Sequence, residues 1–172
     1  MSHDYELALN WDELLAQARS LLDGERNAVA NAANLSALLF HSLPRLNWLG
    51  FYFVDGDGLV VGPFQGRPAC VRLPLGAGVC GTAAARRETL VVADVDAFDG
   101  HIACDSASRS EIVVPLVVDG VVWGVLDVDS PDPGRFTDED RRGFEQAALI
   151  YMDASEPPFA ASTAPFTASG GR

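Results

Sequence analysis

Ile112-Val-Val-Pro-Leu-Val-Val118, then Asp119-Gly120, then Val121-Val-Trp-Gly-Val-Leu-Asp127-Val128, is the clearest structural signal in the chain. An Asp-Gly pair between two apolar runs marks a β-hairpin, because both central positions of the favoured turn take positive φ. An ideal two-residue turn sets Ile112 opposite Asp127. Strand alternation then places Trp123, Val125, Asp127 and Asp129 on one face and Glu111 on the other, unless a bulge intervenes. Pro115, which has no ladder donor, is the natural cause of such a bulge.

Further strands precede the hairpin. Leu90 to Val95 is a short apolar run, and Cys70 to Leu73 another. Trp48 to Val54 and Leu59 to Val61 flank Asp55-Gly-Asp-Gly58, which reads as a second hairpin. Between them, Gly76 to Gly81 is a glycine-rich loop entering a short alanine-rich helix. Helices are predicted at both ends. Asn10 with Glu13 resembles a capping box ahead of Leu14, Leu15, Ala18, Leu21 and Leu22. Leu35, Leu38, Leu39 and Leu43 share a face up to Pro44, and Thr137 with Asp140 opens a last helix carrying Phe144, Ala147, Ala148 and Tyr151. This order implies an α+β fold: an antiparallel sheet of about six strands with the N- and C-terminal helices on one face. Residues 1–153 are expected to form that domain. Residues 154–172, rich in Pro, Ala, Ser and Thr, are expected to be a disordered tail.

With 172 residues and 48% hydrophobic content, the chain can build a core without disulfides or a structural metal. Its net charge of −12 repels phosphate backbones and anionic lipid heads, so neither nucleic acid nor a membrane is an expected partner. No apolar run approaches the ~20 residues needed to span a bilayer. The polar start Met1-Ser-His-Asp-Tyr-Glu6 lacks a secretory pattern, so a cytoplasmic location is expected. Three cysteines, none in CxxC spacing, argue against a closed disulfide set and against structural zinc.

Several residues could carry chemistry. Gly76-Ala-Gly78-Val-Cys-Gly81 matches GxGxxG, but Pro74 breaks the lead-in and no parallel βαβ unit follows. Those glycines fit a tight loop that brings Cys80 near another segment. The three cysteines read either as small buried hydrophobes or as reactive thiols. Cys104 fits the second reading best, on a polar loop with His101 and Arg109 able to stabilise a thiolate and Asp105 opposing them. Asp127 and Asp129 form either a solvated strand end or an acidic pocket in which like charges raise one pKa. Trp48 and Tyr52, four apart on a strand, are either core or the wall of a pocket suited to a thioether.

Four segments, taken in order, resemble one family. They are Asn47-Trp-Leu-Gly-Phe-Tyr52, Gly62-Pro-Phe-Gln-Gly66 with Pro68-Ala-Cys70, Gly78-Val-Cys-Gly81-Thr, and Gly100-His-Ile-Ala-Cys104-Asp-Ser-Ala-Ser-Arg-Ser-Glu111. The set is similar to the free methionine-(R)-sulfoxide reductases, a GAF-domain family, from about Trp11 to Tyr151. The resemblance implies that Cys104 is the catalytic cysteine, Cys70 the resolving cysteine, and Cys80 a second thiol able to support recycling. It implies that Trp48 and Tyr52 line the substrate pocket, and that Glu111, Asp127 and Asp129 bind the amino acid and polarise its sulfoxide. The implied partners are free methionine sulfoxide and a thioredoxin-type reductant, with no organic cofactor and no metal, in what is often a homodimer. Two other functions share the scaffold: a non-catalytic GAF sensor of a small ligand, and a thiol-based oxidant sensor.

Overall fold

A computed structural model of the chain describes residues 10–159. Helix α1 (Trp11–Leu22) starts where Asn10 accepts a hydrogen bond from the Glu13 amide, and α2 (Ala28–Ser42) starts where Asn27 accepts from Val29 and Ala30. The strands follow: β1 (Trp48–Asp55), β2 (Gly58–Gly66) and β3 (Arg72–Pro74). Helix α3 (Gly78–Arg86) and strand β4 (Leu90–Val92) come next, then the long hairpin β5 (Ser110–Val118) and β6 (Val121–Ser130). Helix α4 (Asp138–Ala154) closes the order behind a Thr137–Asp140 capping box in which both reciprocal bonds form.

The six strands lie in the order β3-β2-β1-β6-β5-β4, every neighbour antiparallel. The expected α+β sheet with terminal helices on one face is therefore present. On that face Leu49, Phe51 and Phe53 of β1, Ile112, Val114 and Leu116 of β5, and Leu126 and Val128 of β6 meet the apolar sides of α1, α2 and α4. Alternation sends their neighbours Trp48, Tyr52, Val113 and Val125 to the other face, where they pack with α3 and the loops. Leu21, expected on the buried side of α1, is 44% exposed at the rim of that helix's apolar stripe. The third and fourth strands are shorter than their apolar runs: Cys70 lies before β3, and Val95 begins a 3-10 turn after β4.

The β5–β6 turn is the expected hairpin, with Asp119 and Gly120 both at positive φ. The register then shifts. Val117 pairs with Val122 but Leu116 pairs with Gly124, so Trp123 is an extra residue in β6. The bulge is not at Pro115, which sits in regular register opposite Val125. It lies where β6 crosses closest to β1: a Cβ at Gly124 would fall 2.0 Å from the Tyr52 carbonyl oxygen. The bulge reverses the strand's parity. Trp123 packs towards the terminal helices, whereas Val125 and Asp127 face the other way. Val113 now lies opposite Asp127, and Glu111 opposite Asp129.

Packing continues past Ala154. The Arg26 guanidinium donates to the carbonyls of Asp153, Ala154 and Ser155, and Asn31 donates to the buried Ser155 hydroxyl. Residues 160–172, the greater part of the expected tail, lie outside the described residues. Among the described residues no helix is long and apolar enough to cross a membrane.

Candidate active site

Opposite the terminal helices, a cleft opens between the sheet, α3 and two loops. The sheet supplies its floor. Trp48 and Tyr52 stack with ring centroids 5.7 Å apart, and Phe64 of β2 backs Trp48 at 5.1 Å. Both polar tips are tied to the first loop: Trp48 Nε1 donates to the Arg67 carbonyl at 3.1 Å, and the Tyr52 hydroxyl donates to the Cys70 carbonyl at 3.0 Å. These aromatic residues therefore wall the cleft and also hold the backbone that carries Cys70.

The second loop brings Cys104 over the floor. Cys70 and Cys104 are joined in a disulfide across 34 residues, with their Cα atoms 5.3 Å apart. Arg109, one of the two cations considered for Cys104, turns away towards Asp96 at 3.8 Å and does not line the cleft. His101 does line it, with Nε2 3.7 Å from Glu111 Oε2, and is its only basic side chain among the described residues. Asp105 is occupied by local bonds, accepting from the Ala107 amide and from Asn47 Nδ2. Asn47 also donates to Ser108 at 3.0 Å, which pins the end of the Cys104 loop to the start of β1. The roles of Asn47 and Ser108 carry no local sequence signal, because they arise from a contact between segments 61 residues apart.

Beneath Cys104 the bulged hairpin gathers Glu111, Asp127 and Asp129. Burial raises all three pKa values. Burial pushes Asp127 up to about 6. Burial, then the charge of Asp127, holds Glu111 and Asp129 well above the usual carboxylate range. Asp127 Oδ1 is buried and has no hydrogen-bond partner among the described residues. Such a cluster can keep a proton near neutral pH and can also receive a cation.

Cys80 enters from α3. Helix α3 packs tightly against the end of β3: a Cβ at Gly81, the residue after Cys80, would lie 2.1 Å from the Pro74 carbonyl oxygen. This confirms the glycine-rich run as a packing loop. The Cys80 thiol is buried, donates to Glu111 Oε1 at 3.8 Å, and is outside the disulfide. Burial, then the nearby carboxylates, pushes its pKa well up, so it is held as a thiol.

Residues 8–151 match the model of the GAF domain family. The chain is 58% identical over 127 residues to the free methionine-R-sulfoxide reductase of Escherichia coli, covering 74% of this chain and 77% of that protein. The chain belongs to the GAF-domain family of free methionine-R-sulfoxide reductases. The family member from Saccharomyces cerevisiae is 42% identical over 159 residues, covering 86% of this chain and 88% of that protein. The crystal structure of the Neisseria meningitidis family member in complex with its substrate superposes with a TM-score of 0.81 at 47% identity. It covers 84% of this chain and 87% of that chain.

Proposed function

We propose that this chain reduces free L-methionine (R)-S-oxide to L-methionine. The observation that carries the reading is that Cys104 lines an acidic, aromatic-walled cleft while already bonded to Cys70. That bond is the expected end point of one turnover.

In the reduced enzyme the Cys104 thiolate attacks the sulfoxide sulfur. A protonated carboxyl among Glu111, Asp127 and Asp129 gives its proton to the sulfoxide oxygen. Two electrons pass from the cysteine to the substrate. The oxygen moves to Cys104 as a sulfenic acid and methionine leaves. The Cys70 thiol then attacks that sulfenic sulfur, water departs, and the disulfide forms. An external dithiol of the thioredoxin type reduces it by thiol–disulfide exchange. Cys70 is the resolving thiol because the Tyr52 hydroxyl holds its backbone at the cleft. Cys80, protonated and buried, is the poorer partner. No step calls on a cofactor. Trp48 and Tyr52 take the thioether end of the substrate. The carboxylates pair with its ammonium, and His101 lies in the cleft where its ring N–H can donate to the substrate's carboxylate. Pairing of two copies of the chain belongs to the same reading, and sedimentation velocity tests it.

The central test is to incubate the purified protein with each epimer of free methionine sulfoxide and dithiothreitol, then quantify methionine. Methionine should form from the (R) epimer and should not form with Cys104→Ser. Methionine production by Cys104→Ser at the wild-type rate would overturn the assignment. Peroxide-driven disulfide formation with no methionine from either epimer would make the chain an oxidant sensor instead.

A further inference from the structure

Three donor atoms from three separate elements meet at the bottom of the cleft. The Cys80 thiol of α3, a Glu111 carboxylate oxygen of β5 and an Asp127 carboxylate oxygen of β6 all lie within 4.8 Å of one another, and all three residues are buried. Asp127 is only 6% exposed, yet its Oδ1 meets no donor among the described residues. Once the neighbouring Glu111 carboxyl and Cys80 thiol give up their protons, that buried anionic oxygen is unsatisfied, and a cation would satisfy it.

We propose that Cys80, Glu111 and Asp127 form a site for one divalent cation of borderline softness, Zn²⁺ fitting best, and that the bound ion excludes the substrate's ammonium group.

The geometry favours this class of ion. On a tetrahedral zinc, a sulfur at about 2.3 Å and an oxygen at about 2.1 Å stand roughly 3.6 Å apart. Cys80 Sγ and Glu111 Oε1 are 3.8 Å apart already. A small inward rotation of Asp127 completes three protein ligands, and since all three line the cleft a fourth ligand can reach the ion from it. The mixed sulfur and oxygen set selects against Mg²⁺ and Ca²⁺, which take oxygen ligands. Binding breaks the Cys80 S–H bond and releases that proton to solvent, together with any proton held on the Glu111 and Asp127 carboxyls. No electrons move. His101 Nε2 stands 3.7 Å from the other Glu111 oxygen, close enough that a small rotation would bring it into hydrogen-bond contact with the ligating carboxylate. No motif announces the site, because its donors come from residues 31 and 16 positions apart and converge only in the folded sheet. The claim of inhibition rests on the function proposed above, whereas the claim of binding does not.

The test uses the full-length protein, stripped with a chelator and oxidised at Cys70–Cys104, so that Cys80 is the one free thiol. Co²⁺ alone is titrated in. A near-ultraviolet thiolate-to-cobalt charge-transfer band should grow to one equivalent and be displaced by one equivalent of Zn²⁺. Cys80→Ser should abolish the band, and Asp127→Asn should weaken Co²⁺ binding at least about tenfold. Glu111→Gln provides a second ligand deletion if either variant fails to fold. No band, or a band indifferent to these substitutions in folded protein, overturns the site. Free methionine sulfoxide should compete with Co²⁺. A cobalt band that forms as expected but ignores the sulfoxide keeps the metal site and overturns the assignment of the carboxylates to the substrate's ammonium.

Discussion

Glu111 stands directly across from Asp129 on the paired strands β5 and β6, one residue away from the register an unbroken hairpin would impose. The extra residue Trp123 makes the difference, and Gly124 lets β6 approach β1 closely enough to hold it. Gly124→Ala should therefore act at two levels. Its Cβ would overlap the Tyr52 carbonyl oxygen, so urea denaturation should show a loss of about 3 kcal/mol. In the fraction that folds, the carboxylates should be displaced and sulfoxide reduction should fall.

The carboxylate cluster fixes the sign of a pH effect on stability. Asp127 binds its proton more tightly in the folded chain, where its pKa is about 6, than in the unfolded chain, where 3.8 is the ordinary value. Glu111 and Asp129 shift the same way. The folded state then holds more protons on these groups, so the stability they contribute is fully present below about pH 4 and is lost as pH rises through about 6. Asp127→Asn should flatten that decline by on the order of 3 kcal/mol, measured as the difference in unfolding free energy from urea denaturation at either end of the window.

The two remaining thiols should separate in kinetics. Cys70→Ser should still give one methionine per enzyme in a single turnover. Its steady-state cycling with a thioredoxin-type donor should fall at least about a hundredfold. Cys80→Ser should cycle within about twofold of wild type, because its thiol is not needed for the Cys70–Cys104 bond. Stopped-flow reduction and coupled donor oxidation distinguish these outcomes.

Selection of the free amino acid should depend on the same carboxylates. N-acetylmethionine sulfoxide cannot present an ammonium and would leave buried anions unpaired. Its kcat/KM should be lower than that of the free amino acid by at least about a hundredfold. Asp129→Asn should narrow the gap by weakening the free substrate more than the acetylated one.

A substitution remote from the cleft provides the control. Asn31 is buried and bonds the Glu25 carbonyl and the Ser155 hydroxyl, tying α2 to the chain leaving α4. Asn31→Ala should cost about 2 kcal/mol in urea denaturation, since it leaves those buried groups unpaired. Sulfoxide reduction by the folded protein should be unchanged.

Local chemistry alone determined much of this protein. Asp119-Gly120 dictated the hairpin turn, Asn10 and Thr137 dictated two helix starts, and the apolar runs dictated strands between terminal helices. These features were legible because turn dihedrals, caps and periodicity involve residues a few positions apart. The ordered motifs also carried the family, and the resemblance named the eight residues that line the cleft or border it. Only the tertiary structure decided how those residues meet. A strand's alternation can be followed only as far as its first bulge, and the bulge at Trp123 is imposed by contact with another strand, so Glu111 could not be placed from the hairpin alone. The choice of Cys70 over Cys80 as partner of Cys104, and the turning of Arg109 to Asp96, depend on loop paths fixed by distant side chains such as Tyr52 and Asn47. Contacts of that kind leave no periodic trace in a sequence, because packing chooses them after the local elements have formed.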